Sequence, residues 1–429
     1  MMRIHFLGIG GSGASAAAAI AQDCGYVVTG CDLEPHNEFT TQFKNSQLLT
    51  GHSASHLTSG KVDPDLIGVD ILAITPAITS LDPDNPELME AEKLGIPILT
   101  WQQFLGEYLT KGKFVIAVAG THGKTTTCAM IAKILEDAGL DPTVELGAIV
   151  PWWKTNYRVD KGKPVLSDPE RSRGRVERYF VVEADEFNDN FLHLKPDIAV
   201  VTNIEMDHPE YFKNFEAVKK SFAKFESQSK KVFDKPNPRL IKFTLKIPGE
   251  FNVANASLAL QVGLALGLDP KIIKKSLASY NGVGRRFEYI GQFNRAKVYS
   301  DFGHHPTEIK ATMEAAREKF PKSRILLVYQ PHMFSRTKYL FGDFVKVFRQ
   351  ISVDKIFIMD IYPSREVDTG LTSSPKLVEA VGKDNVLYIG SPAETLEKLK
   401  PEIKRDDIVF FMSAGDTDKL AKELVNLPN

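Results

Sequence analysis

FVIAVAGTHGKTTT, running from Phe114 to Thr127, decides the fold: six apolar residues, a turn punctuated by two glycines, then the threonine-rich start of a helix. An apolar run this short reads as a strand buried on both faces, the kind found in parallel sheets with crossover helices. The turn after it has the chemistry of a phosphate loop. Gly120 and Gly123 free the backbone around Thr121 and His122 to close on phosphate oxygens, and Lys124 can reach the terminal phosphates. Thr125 can offer its hydroxyl to Mg²⁺, while Thr126 belongs to a helix start whose positive end faces the anion. The strict loop pattern has another glycine at position 118, where this chain has Val118, so the loop is a variant. The reading is a nucleoside triphosphate site for ATP with Mg²⁺.

At 429 residues the chain is too long for one ordinary core, and three domains are expected. Lys and Arg number 53 against 54 Asp and Glu, so no global field draws the protein to nucleic acid or to an anionic membrane. Cys24, Cys31 and Cys128 show neither a disulfide framework nor metal-ligand spacing, which suits a reducing compartment, the cytoplasm. No apolar run approaches the roughly 20 residues needed to span a bilayer, and no targeting segment is evident.

Outward from the loop, the chain alternates strand and helix patterns in three regions. In residues 1–107, Ile4 to Gly8 reads as a first strand, followed by Gly8, Gly10 and Gly13 in a full G-x-G-x-x-G with Gly11 and Ser12 inside it. Ala14 to Gln22 is the following helix, and Asp32 ends the next strand. Taken alone this is a dinucleotide fingerprint, open to a nicotinamide cofactor or to another nucleotide diphosphate. Ile71 to Ile74 is a later strand with Thr75, Pro76 and Ala77 in its exit loop. In residues 108–290, the strands Tyr179 to Val182 and Ile198 to Val201 run into acid-rich turns that bring Glu183 and His208 to the sheet edge of the phosphate loop, within reach of Mg²⁺. Val150 to Glu177 reads as a loop excursion holding Trp152 and Trp153, and Asn252 precedes a helix over 257–268. Gly282 to Phe287 reads as a hinge, and residues 291–429 as a second nucleotide-fold-like sheet with strands at 297–300, 324–329, 355–359, 386–389 and 408–412. The strand-end loops there carry Asp301, Phe302, His304 and Arg336. Three sheet domains with three kinds of mouth suit a ligase that activates a carboxylate with ATP and gives it to an amine; Lys124, His208, Arg286 and His304 are the candidate catalytic groups.

The segments Ile4 to Gly13, Gly120 to Thr127, Glu183 to Glu186, Thr202 to His208, Arg285 to Phe287, Asp301 to Glu308 and Gln330 to Thr337 together resemble the Mur ligase family of peptidoglycan biosynthesis over essentially the whole chain, most closely its alanine-adding branch. The resemblance implies an α/β protein of three domains: an N-terminal Rossmann-like UDP-binding domain, a central P-loop ATPase-like domain with a mostly parallel sheet, and a C-terminal Rossmann-like domain. It implies that Gly10, Gly11, Ser12, Gly13, Asp32, Thr75, Pro76 and Ala77 cradle a UDP-sugar and not NAD. Lys124 would bind phosphates, with Thr125, Glu183 and His208 at Mg²⁺. Asn252, Arg286 and Asp301 would lie at the nucleotide, and Phe302, His304 and Arg336 at the amino acid. The implied substrates are UDP-N-acetylmuramate and L-alanine, for a cytoplasmic monomer or homodimer that binds neither nucleic acid nor membrane. Phe302 stands where alanine-adding members commonly have Tyr, and Met333 where many have Arg, which keeps a murein tripeptide or another amino acid as the alternative acceptor. A nucleotide-binding protein without turnover is the further alternative.

Overall fold

The computed structural model describes residues 1–58, 68–161, 178–364, 366–368 and 370–427. It contains three sheets. The first holds β1 (Arg3–Leu7), β2 (Val27–Asp32), β3 (Leu48–Thr50), β4 (Ile71–Ile74) and β5 (Ile98–Thr100) in the order β3-β2-β1-β4-β5. All its pairings are parallel. The second holds β6 (Phe114–Ala119), β7 (Thr143–Val150), β8 (Thr155–Arg158), β9 (Tyr179–Glu183), β10 (Ile198–Val201) and β11 (Lys231–Phe233) in the order β11-β10-β6-β9-β7-β8. Only β8 runs antiparallel in it. The third holds β12 (Glu288–Phe293), β13 (Ala296–Asp301), β14 (Ile325–Tyr329), β15 (Lys355–Met359), β16 (Val386–Gly390) and β17 (Ile408–Met412) in the order β12-β13-β17-β14-β15-β16, with β12 antiparallel.

The chain separates into two compact units. Residues 1–205, 216–243 and 255–279, with the first two sheets, make one; residues 206–215, 244–254 and 280–429, with the third sheet, make the other. The third sheet shows why its strands read as unbroken apolar runs. In β14, Ile325, Leu327 and Tyr329 enter one core with Ile356, Ile358 and Phe410, while Leu326 and Val328 enter another with Phe357, Val409 and Phe411. Side chains alternate across a strand, so a sheet with a core on each face needs apolar residues at both parities. The same logic holds in β6, where Val115 to Ala119 are all buried.

Three expectations are corrected. Thr75 to Thr79 is not an exit loop: Thr75 is the N-cap of a helix, Pro76–Leu81. Proline at the first helical position has no N–H to lose there, so Pro76 starts this helix and does not break it. The helix expected over 257–268 runs Glu250–Ala265 instead, placing Asn252 and Asn255 inside it. The Val150 to Glu177 excursion is partly regular, because β7 and β8 form an antiparallel hairpin around Lys154, whose φ is 64°; residues 162–177 lie outside the described residues. Trp152 and Trp153 donate their Nε1–H groups to Glu136 at 3.0 and 2.9 Å, a packing role against the helix Lys124–Asp137.

Candidate functional site

Register builds the phosphate loop. Val118 of β6 lies opposite Glu183 of β9, and Ala119 opposite Val201 of β10, so all three strands release their chains at one edge. Gly120, at φ 138°, has no space for a side chain because Thr202 lies against it. Gly123, at φ 81°, caps the helix Lys124–Asp137, and a Cβ there would lie 2.6 Å from Asn255 Oδ1. Asn203 pins the loop from the β10 side: its backbone carbonyl accepts from Thr121 N at 3.1 Å, and its Oδ1 from His122 N at 3.0 Å. The anion-facing donors are therefore the first-turn N–H groups of the helix, Lys124 to Thr126, which lack intrahelical carbonyls.

Lys124 Nζ donates to Gly120 O at 2.6 Å and to Glu186 Oε2 at 2.8 Å. Burial pulls its pKa down, but Glu186 first, then Asp185 and Glu183, lift it above the ordinary lysine value. The lysine stays charged. Thr125 Oγ1 donates to Glu183 Oε1 at 2.9 Å, and Gly147 N to Glu183 Oε2 at 2.9 Å. A hydroxyl and a carboxylate this close beside a phosphate loop are the hard oxygen donors that Mg²⁺ prefers, so Thr125 and Glu183 fit the ion. Sequence reasoning missed two neighbours. Glu186 was visible only as part of an acidic turn. Glu145 of β7 is buried, and burial followed by Glu183 pushes its carboxyl well above the usual carboxylate range, which keeps it protonated beside Glu183. A lone acid inside the apolar run Thr143–Val150 was its signal.

The N-terminal glycine loop is also formed. Gly8 takes φ 89° with Thr75 packed on it, and Gly10 N donates to Asp32 Oδ2 at 3.0 Å. Asn37, unremarked in the sequence, donates its Nδ2 to Gly10 O at 3.0 Å. Gly11 is the N-cap of the helix Ser12–Asp23, and Gly13 lies where any side chain would collide with Trp101. Pro76 and Ala77 sit in the first turn of their helix beside this loop.

The second unit gathers the remaining candidates. The guanidinium of Arg286 lies 4.4 Å from the Phe302 ring centroid, with that of Arg285 at 5.0 Å, two cation–π contacts on one ring. Asp301, buried, accepts from Phe287 N at 2.9 Å and Gly303 N at 2.8 Å, and burial raises its pKa. Arg336 is held by Asp207 at 2.9 Å and touches His332 Nδ1 at 3.1 Å. Asp207 was not singled out in the sequence. Burial alone would raise its pKa, but Arg336 first and three histidines after it hold the carboxyl well below the usual range. His208, at φ 53°, lies 3.2 Å from Glu210 within this unit, while Thr125 and Glu183 belong to the other. Asn252 donates to Pro248 O at 2.6 Å.

Burial chiefly, with Arg336 next, depresses His304 to about 3. It is neutral in the fold, whereas an unfolded histidine takes its proton near pH 6.5. Its contribution to stability is therefore whole above about pH 6.5 and lost as the pH falls towards 3. Thermal melts of the wild type from pH 7.5 to 4.5 should show an acid-side loss on the order of 2 kcal/mol that His304→Gln reduces. Equal slopes for both proteins would contradict this.

Comparison with known proteins agrees with this geometry. Three family profiles match in chain order: Mur ligase family, catalytic domain, over residues 3–112; Mur ligase middle domain over 118–233; and Mur ligase, glutamate ligase domain, over 285–415. The UDP-N-acetylmuramate–L-alanine ligase of Acetivibrio thermocellus is 35% identical, the match covering 98% of this chain and 94% of the relative. The ligase of the same name from Aquifex aeolicus is 33% identical over 100% and 98%. Among solved structures, the UDP-N-acetylmuramate-alanine ligase of Thermotoga maritima superposes with a TM-score of 0.77 at 25% identity, covering 99% and 98% of the two chains. A murein peptide ligase from Psychrobacter arcticus shares the fold, with a TM-score of 0.67 at 21% identity and full coverage of both chains.

Proposed function

The chain belongs to the Mur ligase family of ATP-dependent ligases, and on that premise we propose that it joins L-alanine to the carboxylate of UDP-N-acetylmuramate, releasing ADP and phosphate. The observation that carries this is the phosphate loop itself, with Lys124 charged over Gly120 and Thr125 facing Glu183. Bound Mg-ATP supplies a phosphoryl group that converts the muramate carboxylate into an acyl phosphate, which an amine can open. Lys124 and the first-turn N–H groups of its helix offset charge on that phosphoryl group. Thr125 and Glu183 would hold Mg²⁺, which would offset charge on the phosphates. Gly10, Gly11, Ser12 and Gly13 take the UDP diphosphate, with Asp32 fixing the loop through Gly10 N. In the second unit Arg286, with Asp301 and Asn252, serves the nucleotide. Arg336, fixed by Asp207, offers a positive charge to the incoming amino acid's carboxylate, while His304 beside it, held neutral by burial, adds no second cation and can accept a hydrogen bond from the amine.

The protein works as three domains with limits near residues 107 and 290, in the cytoplasm, where its nucleotide substrates are found. Among the described residues no helix is long and apolar enough to cross a membrane. Phe302, in cation–π contact with two arginines where the alanine-adding pattern has Tyr, favours a second reading in which a murein tripeptide is the acceptor. Phosphate release with ATP, Mg²⁺ and UDP-N-acetylmuramate, scanning L-Ala, Gly, L-Ser and the tripeptide, tests both. Fastest turnover with L-Ala is expected; a tripeptide preference would install the second reading, and no turnover with any acceptor would overturn both.

A further inference from the structure

A second cluster of metal-ligating side chains lies within the first sheet, away from the phosphate loop. It combines His5 of β1, Cys31 of β2, His56 in the short helix Ser55–Thr58, and Glu87 at the start of the helix Pro86–Leu94. We propose that these four side chains form a structural zinc site. His5, Cys31 and Glu87 are fully buried, and His56 is partly exposed, giving an ion a way in. Glu87 Oε1 lies 2.9 Å from His56 Nδ1 and 3.1 Å from Cys31 Sγ, Glu87 Oε2 lies 3.1 Å from His5 Nε2, and all four ligand positions fall within 4.8 Å of one another. Tetrahedral Zn²⁺, with bonds of about 2.0–2.3 Å, sets its ligand atoms about 3.3–3.8 Å apart. Small side-chain shifts therefore suffice to take up the ion.

The hydrogen bonding of Glu87 argues against a purely structural polar hub. Oε1 is crowded by Ser53 N, Cys31 Sγ and His56 Nδ1, whereas Oε2 and His5 Nε2, buried and facing each other at 3.1 Å, are oriented so that neither makes a hydrogen bond. Two buried ligand atoms that meet at 3.1 Å without good hydrogen-bond alignment would each gain a better partner from a metal ion between them. The surrounding contacts also suit a ligand set. Thr29 Oγ1, 2.8 Å from His5 Nδ1, fixes the ring with Nε2 inward. His52 Nδ1 stands 3.4 Å from Cys31 Sγ as an outer partner. One thiol, two imidazoles and one carboxylate favour Zn²⁺ over the oxygen-seeking Mg²⁺ or Ca²⁺, and four protein ligands close the coordination shell. On binding, the Zn–S bond forms as the Cys31 S–H proton leaves to water, so uptake releases one proton.

The site adjoins the N-terminal glycine loop through the backbone. Cys31 O accepts from Gly8 N at 2.9 Å and from Ile9 N at 3.1 Å, and the next residue, Asp32, holds Gly10 N. An ion tying β1 to β2 at this point would stiffen that loop. The test uses the full chain, stripped with a chelator and reloaded with Zn²⁺ or Co²⁺ without nucleotide or Mg²⁺. Metal analysis should find one zinc per chain, and Co²⁺ should give tetrahedral visible bands with a thiolate charge-transfer band. Cys31→Ser should abolish the charge-transfer band, and His56→Gln, at a partly exposed ligand, should weaken Zn²⁺ binding by at least about tenfold in a folded chain. Cys24→Ser, at an exposed cysteine, should change neither. No stoichiometric uptake by the folded chain, or a cobalt spectrum and affinity unaltered by Cys31→Ser and His56→Gln, would overturn the proposal.

Discussion

Lys124→Met is expected to lower phosphate release by about 10²–10³-fold or more and to weaken the fold as well. The catalytic loss follows from removing the charge that faces the transferring phosphoryl group. The loss of stability has another origin. Glu186 is 3% exposed and has Lys124 at 2.8 Å as its counter-ion. Without the lysine a buried carboxylate loses its partner, at a cost of about 3–5 kcal/mol. The double variant Lys124→Met/Glu186→Gln should recover most of the melting temperature and none of the turnover. Recovery of turnover in the double variant would mean that Lys124 merely neutralises Glu186, and full turnover in the single variant would remove the lysine from the chemistry.

The parts legible in the sequence are those whose physics is local. The expected strand at 355–359 coincides with β15 and that at 408–412 with β17; those at 324–329 and 386–389 differ from β14 and β16 by one residue at one end, and that at 297–300 is one residue short of β13 at each end. Strands buried on both faces are apolar at every position, and that signal needs no tertiary knowledge. The phosphate loop was legible because glycine, lysine and threonine each have a separate local task there. What stayed hidden depends on partners distant along the chain. Glu186 joins Lys124 across 62 residues, Arg336 joins Asp207 across 129, and the zinc ligands are spread from His5 to Glu87 with no recurring spacing. The hairpin of β7 and β8 escaped notice because two tryptophans and a positive-φ lysine look like loop until Glu136 is placed beneath them. The helix starts at Pro76 and Glu250 were misplaced for a smaller reason: Thr75 to Ala77 read as a loop although Pro76 opens a helix there, and Asn252 read as lying ahead of a helix that already contains it.

Asp207→Asn is expected to be among the most destabilising single changes in the second unit. Asp207 is 6% exposed and Arg336 2%, and the Nε to Oδ1 distance is 2.9 Å, so the pair sits out of water with its charges matched. Removing only the carboxylate charge leaves a guanidinium buried beside His332 and His304, at about 3–5 kcal/mol. Arg336→Met leaves Asp207 buried in the same way, although the histidines can take up part of its charge, so its cost should be lower. The double variant Asp207→Asn/Arg336→Met separates pair from position. Desolvation is costly for both ions, and a neutral pair of similar volume can recover much of it, so the double variant should be more stable than Asp207→Asn alone, with a coupling of roughly 1–3 kcal/mol. Denaturant unfolding of the four proteins measures that coupling, and strict additivity would mean that the two side chains do not depend on each other in solution. Turnover supplies the functional half of the result. If Arg336 binds the carboxylate of the incoming amino acid, the double variant should keep its fold and its affinity for ATP while the KM for L-alanine rises by an order of magnitude or more; an unchanged KM would confine the pair to holding the His208 segment against the third sheet's loops.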